Sequence, residues 1–153
     1  MENISVTYML ILIQTLEQIE NLRQIRNECR HFMTRNTNEI SQTEQLDWYN
    51  LLDKEKNKLY LFYENYHGVS SPGPIGYGVI KKEDDCILLT GGLLSKERNK
   101  GFGTVLFDML VKEAKKQNLP IKLEVLKSNE RAKHIYSKLG FRSEEHTSEL
   151  QSH

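Results

Sequence analysis

Between Cys86 and Gln117 the chain passes from an apolar stretch, Cys86 to Leu94, through a loop ending in Arg98-Asn99-Lys100-Gly101-Phe102-Gly103-Thr104, into an amphipathic segment. The inner stripe of that segment is Phe102, Val105, Leu106, Met109 and Leu110, at helical spacing. A strand that feeds a helix through two glycines brings the helix back onto its own sheet. The glycines also let the backbone approach a bulky anion and turn several N–H groups toward it, where the helix dipole favours negative charge. One helix end supplies about 0.3–1 kcal/mol, and up to roughly 2 when partly buried, so several N–H bonds plus Arg98 and Lys100 must share the holding of a phosphate. Two familiar cradles do not fit. A Walker A loop needs Gly-Lys-Ser/Thr, whereas Gly103 is followed by Thr104-Val105; a dinucleotide fingerprint needs a small third residue where Leu106 stands. Taken alone, the short GxG fits equally well a tight turn packing a helix on a sheet.

The remaining elements follow from periodicity. Ile4 to Leu12 suits a first strand, and Thr15 with Gln18 forms a capping box for a helix bearing Ile19, Leu22, Ile25 and Cys29. Ser41 with Glu44 opens a second helix carrying Leu46, Trp48, Tyr49 and Leu52. Strands are expected at Leu59 to Tyr63, Ile75 to Ile80 and Cys86 to Leu94, separated by the breakers between His67 and Pro74 and by Asp84-Asp85. After the helix from Phe102 to Gln117 come a strand, Ile121 to Leu126, and a last helix from Asn129 or Glu130 to Leu139, stopped by Gly140. The expected order is βααβββαβα.

With 153 residues the chain is one domain. Lys+Arg and Asp+Glu both number 21, which disfavours nucleic acid and anionic membranes as partners. Cys29 and Cys86 stand alone, without metal-type spacing, and read as reduced thiols of a cytoplasmic protein. The apolar run Met9 to Ile13 is too short to span a bilayer, and Glu2 before it with Gln14, Glu17 and Glu20 after it does not suit a signal peptide.

The last twelve residues, Arg142 to His153, have no apolar periodicity and one aliphatic side chain, Leu150. The string resembles a conceptual translation of a common short-read sequencing adapter, matching it over the eleven residues Arg142 to Ser152. The expected division is therefore a domain of residues 1–141 and a non-native, disordered tail of residues 142–153. Without the tail, 20 basic and 18 acidic side chains remain, so the body is still near neutral. On this reading the natural protein continues past Phe141, and the chain as written is aggregation-prone, with an open strand edge.

The segment Leu93 to Phe141 resembles the GCN5-related N-acetyltransferases. Arg98, Gly101 and Gly103 match their coenzyme A motif of Arg or Gln, two residues, Gly, one residue, and Gly or Ala. A second motif follows in Leu123-Glu124-Val125, Asn129, Ala132, Tyr136 and Leu139-Gly140-Phe141. The resemblance implies a three-layer α+β fold, with a mixed, mostly antiparallel sheet in which the parallel strands Cys86–Leu94 and Ile121–Leu126 splay apart. It implies further that the family's last two strands, after Phe141, are missing. Acetyl-CoA would be the co-substrate, with no metal. Backbone groups near Leu93 and Leu94 would hold the pantetheine arm and meet the developing oxyanion, the N–H groups of Asn99, Lys100, Gly101, Phe102, Gly103 and Thr104 the pyrophosphate, and Asn129 the arm from the far side.

On the same resemblance Tyr136 would be the general acid that protonates the departing thiolate; the alternative is a tyrosine packed in the core. Glu124 matches the position of a catalytic base in members that acetylate protein N-termini; the alternative is a solvent-facing strand residue. Strand alternation places Lys122, Glu124 and Leu126 on one face. His134 is expected in solvent, and His31 and His67 have no partners that suggest chemistry. Arg26-Asn27, Met33, Ile40-Ser41, Gln45 and Trp48-Tyr49 are distantly similar to enzymes that acylate amino groups on nucleotide-linked sugars, although Trp48 fits better as an anchor of its helix. The expected function is N-acetyl transfer from acetyl-CoA to a primary amine of a small molecule by direct attack, in a monomer or a homodimer. Acetylation of a protein N-terminus and non-catalytic coenzyme A binding are the alternatives.

Overall fold

The computed structural model describes residues 6–30, 38–66, 69–70, 72–124, 129–143 and 149–152. The elements in chain order are β1 (Val6–Leu12), α1 (Leu16–Cys29), α2 (Gln42–Leu51), β2 (Asn57–Tyr66), β3 (Val69–Ser70), β4 (Gly76–Lys82), β5 (Ile87–Leu93), α3 (Phe102–Ala114), β6 (Ile121–Glu124), α4 (Glu130–Lys138), β7 (Phe141–Ser143) and β8 (Glu149–Ser152). All nine expected elements are present, and the short β3 is added within the first hairpin loop. The fold is mixed α+β, as the resemblance implied.

The sheet runs β1-β2-β4-β5-β6-β8-β7, with β3 beside β2. All pairs are antiparallel except β5 with β6. Strand alternation on β2 explains the layering. Leu59 and Leu61 point into one core with Ile19, Leu22, Ile25 and Cys29 of α1, while Phe62 points into the other with Leu106, Phe107 and Leu110 of α3. Helices α1 and α2 thus cover one face, and α3 and α4 the other.

The local signals explain the helix starts. Thr15 Oγ1 accepts the Gln18 N–H at 3.2 Å while Gln18 Oε1 accepts the Thr15 N–H at 3.0 Å, completing the capping box. Ser41 Oγ accepts the Glu44 N–H at 3.1 Å. The stripe of α3 is rotated slightly from expectation: Leu106, Phe107, Leu110, Val111 and Ala114 are buried, while Phe102, Val105 and Met109 pack on the rim. The last turn tightens to a 3-10 turn at Lys115–Gln117 and stops at Asn118 in the left-handed region, φ 55°.

Among the described residues after Phe141, Arg142 and Ser143 belong to β7, and Glu149–Ser152 form β8, antiparallel to β6 with Leu150 opposite Leu123. The physical reason is that a ladder is made by backbone groups. The outer edge of β6 offers N–H and C=O groups that a polar segment can pair as readily as an apolar one.

Candidate active site

The site grows from the way β5 is shared between its neighbours. In an antiparallel ladder the N–H and C=O of one residue point to the same side, and the side alternates along the strand. Glu83 N–H donates to Cys86 O at 2.9 Å, and Leu94 N–H donates to Ile75 O at 3.0 Å, so Cys86 and Leu94 face β4. Ile87, Leu89, Gly91 and Leu93 therefore face β6, in agreement with the bond from Ile87 N–H to Pro120 O at 2.8 Å. Yet the parallel register reaches only Leu89↔Leu123, whereas β5 continues to Leu93. Beyond Leu89, among the described residues, the backbone groups of Gly91 and Leu93 look out over an edge that β6 does not pair.

This geometry separates two residues that the sequence leaves together. Leu93 turns its N–H to the open edge, while its C=O on the same side already accepts from Cys29 Sγ. The Leu94 N–H is already bonded to Ile75 and is not a donor for an oxyanion, because its position in the alternation turns it toward β4. Gly91 and Gly92 were not singled out from the sequence. A Cβ on Gly91 would lie 3.2 Å from Phe107 Cζ, and one on Gly92 2.6 Å from Cys29 Sγ, so helices of both layers close on this point.

The loop that follows is tied to the end of α1. Cys29 Sγ–H donates to Leu93 O at 3.3 Å, Ser95 N–H donates to Glu28 Oε1 at 2.9 Å, and Arg98 Nη2 donates to Glu28 O at 3.0 Å and reaches Cys29 Sγ at 3.6 Å. Arg98 thus satisfies one of the orphan carbonyls at the end of α1, a structural task beside any ligand role. Burial pushes the Cys29 thiol up from its ordinary pKa, and Arg98 acts in the opposite direction. Asn99 (φ 69°) and Gly101 (φ 84°) both adopt the left-handed conformation, and the space a Gly101 Cβ would enter is open to 4 Å. Lys100 forms an exposed ion pair with Glu97 at 3.4 Å. Phe102 turns its ring against Tyr8, centroids 6.0 Å apart, and Thr104 lies in the first turn of α3. A left-handed bend, open space at the Gly101 Cβ position and a helix start thus follow one another along the chain.

On the far bank, Tyr136 is 7% exposed, its ring 4.9 Å from Phe107 and 6.4 Å from Phe141, both edge-on. Burial drives its pKa well above the ordinary tyrosine value, and the Tyr77 phenol adds to the shift. Tyr77 packs in the opposite layer, its ring 3.1 Å from where a Gly92 Cβ would stand. Asn129 caps α4, its Oδ1 accepting the Ala132 N–H at 3.1 Å. Glu124 is the last residue of β6, in register with Glu149. His134 is exposed, as expected, while His31, Met33, His67, Val125 and Leu126 lie outside the described residues.

On the α1–α2 layer, the anchor of α2 is not Trp48 but Tyr49, whose hydroxyl donates to Ile13 O at 3.2 Å. Trp48 is 37% exposed and has Arg26 stacked 5.0 Å over its ring. Asn27 grips the peptide groups of Ile40, donating from Nδ2 to the carbonyl at 2.9 Å and accepting the N–H at 2.7 Å.

Among the described residues no helix is long and apolar enough to cross a membrane. The family model described as acetyltransferase (GNAT) family matches residues 19–141. No curated protein sequence matches the chain. Solved structures share its fold: a domain from Methanocaldococcus jannaschii (TM-score 0.81, 13% identity, 96% of this chain and 97% of that one), spermidine N-acetyltransferase from Vibrio cholerae in complex with CoA and spermine (0.70, 18%, 95% and 91%), and an aminoglycoside acetyltransferase in complex with coenzyme A (0.68, 21%, 92% and 86%). With a matching model over most of its length and the paired coenzyme motifs set around an open β5 edge, the chain belongs to the GNAT acetyltransferase family.

Proposed function

We propose that the protein transfers an acetyl group from acetyl-CoA to a primary amine of a small molecule. The observation that carries this reading is the edge of β5 at Gly91 and Leu93, unpaired among the described residues and followed by the left-handed turn at the head of α3. Acetyl-CoA, when bound, supplies an acyl carbon activated as a thioester. The N–H groups from Asn99 to Thr104 hold its diphosphate at the helix N-terminus. The Leu93 N–H, facing the open edge, donates to the carbonyl oxygen as negative charge develops there; a donor of this kind is worth about 10²–10³ in rate. The amine nitrogen attacks as the neutral base, the C–N bond forms, the C–S bond breaks, and the amine proton leaves to Glu124 or to water. Because burial keeps the Tyr136 phenol protonated, its role is to donate to the departing sulfur, not to accept a proton. The neighbours crystallised with spermine and as an aminoglycoside acetyltransferase support a small amine over a protein terminus as acceptor.

Calorimetric titration with CoA and acetyl-CoA, followed by free-thiol release with a panel of amines, tests the reading. Heat with both cofactors and thiol release with an amine are expected. Tyr136→Phe should keep cofactor binding and lose at least about tenfold in turnover. Absence of heat with either cofactor overturns the reading, and binding without turnover on any amine leaves the non-catalytic alternative.

A further inference from the structure

The turn that precedes the glycines of the coenzyme loop has little burial to fix it. Ser95, Lys96, Asn99 and Lys100 are exposed. The bonds inside the turn are local: Glu97 N–H donates to Leu94 O at 2.9 Å, and Arg98 N–H donates to Ser95 O at 3.3 Å. A short, exposed 3-10 turn held by such bonds does not set its own direction. Glu28, in the last turn of α1, sets it from outside. Its Oε1 accepts the Ser95 N–H at 2.9 Å and its backbone O accepts from Arg98 Nη2 at 3.0 Å, so one residue grips both ends of the turn.

Helix α1 itself has no use for a carboxylate here. Glu28 is exposed and stands next to the last residue of the helix, where the dipole disfavours negative charge. The same charge lies beside a loop that, on the acetyltransferase reading, holds a diphosphate. Both electrostatic effects are adverse, so what the side chain contributes is geometry, an acceptor placed on the Ser95 N–H. The consequence travels along the chain. Arg98 is extended, Asn99 and Gly101 are left-handed, and α3 begins at Phe102, whose ring packs on Tyr8. With α3 fixed by its packing, a change in the turn's direction shifts the N–H groups of Asn99, Lys100 and Gly101 relative to those at the head of the helix.

We propose that Glu28 is a positioning residue for coenzyme binding: by holding the turn it aligns the left-handed part of the loop with the N-terminus of α3, so that both sets of N–H groups meet one diphosphate. The proposal rests on the acetyltransferase reading above and adds to it a residue outside both coenzyme motifs. Glu28 acts through the loop and not on the coenzyme or the reacting atoms.

Variants at both ends of the bond separate alignment from charge and from general stability. Glu28→Ala removes the acceptor, and Glu28→Gln keeps an acceptor oxygen without the charge. Ser95→Pro removes the donor at the start of a 3-10 turn, a position that tolerates proline. In calorimetry on the full chain, Glu28→Ala and Ser95→Pro should each bind CoA about five- to tenfold more weakly, and the double variant no more weakly than either. Glu28→Gln should stay within about twofold of the parent, because its Oε1 accepts the same N–H. In turnover, Glu28→Ala should raise KM for acetyl-CoA by a similar factor while kcat, KM for the amine and Tm hold. CoA affinity unchanged in Glu28→Ala, additive losses in the double variant, or a Glu28→Gln loss equal to that of Glu28→Ala overturns the proposal. An equal rise in both KM values overturns it too, since that marks a general structural role. Parent CoA heat that Glu28→Ala leaves unchanged overturns the role of Glu28 alone, whereas no CoA heat in the unmutated chain overturns the acetyltransferase reading and this proposal with it.

Discussion

Gly101 and Gly103 look equivalent in the motif but carry different physical loads. Gly101 sits at φ 84°, where a side chain costs about 1–2 kcal/mol, whereas a Cβ on Gly103 meets only the flexible tip of Ile135 at 3.0 Å. Chemical denaturation should therefore show Gly101→Ala destabilised by that amount with weaker CoA binding, and Gly103→Ala within about 1 kcal/mol of the parent, helped by the better helix propensity of alanine. The tyrosines give a pH prediction. Burial pushes Tyr77 up to about 12 and Tyr136 further in the same direction. The folded state thus keeps protons that the unfolded chain releases near the ordinary tyrosine value of about 10. Stability is fully present below about pH 10 and declines as pH rises toward 12, because the folded state then binds more protons than the unfolded. Thermal melts from pH 9 to 11.5 should show this decline, and Tyr77→Phe should flatten it; a parent whose Tm is constant over that range would contradict the assignment.

At the level of elements, side chains of α1 hold α2 and the residue that leads into it, with Asn27 making the most complete link. Asn27 on α1 makes a reciprocal pair of bonds with the Ile40 peptide groups, and Arg23 Nη1 also donates to Ile40 O, at 3.1 Å. Asn27→Ala removes two bonds and should cost about 1–3 kcal/mol. Since this joint sets where α2 carries Gln45 and Trp48, the same variant should raise KM for the amine while CoA binding stays unchanged by calorimetry. An equal loss of both would place Asn27 in general stability instead. The neighbouring element, the end of α1, is held by Arg98, the residue the coenzyme motif selects. Pattern alone could assign Arg98 to the ligand but not reveal that its Nη2 bonds Glu28 O, because that partner lies seventy positions away in sequence.

For the whole molecule, the strand order places β8 and β7 outside β6, in a region where the composition shows only a polar, aperiodic string. Their contribution can be measured. Deleting residues 142–153 removes β8 from the edge of β6 and should lower Tm and favour association through the open edge. An unchanged Tm in a monomeric deletion would show that the pairing adds nothing. By itself the sequence determined the elements from β1 to α4 except the short β3, the capping of α1 and α2, the apolar face of α1 and the glycine turn. These depend on local dihedral preference and on side-chain period, both of which are written in neighbouring residues. Only the tertiary structure decided that Leu93 and not Leu94 faces the open edge, that Tyr49 and not Trp48 anchors α2, and that Arg26 on α1 donates to Gln45 on α2. Each of those outcomes depends on register or on a contact between distant segments, and the period of a single strand or helix carries no record of which backbone its neighbour will present.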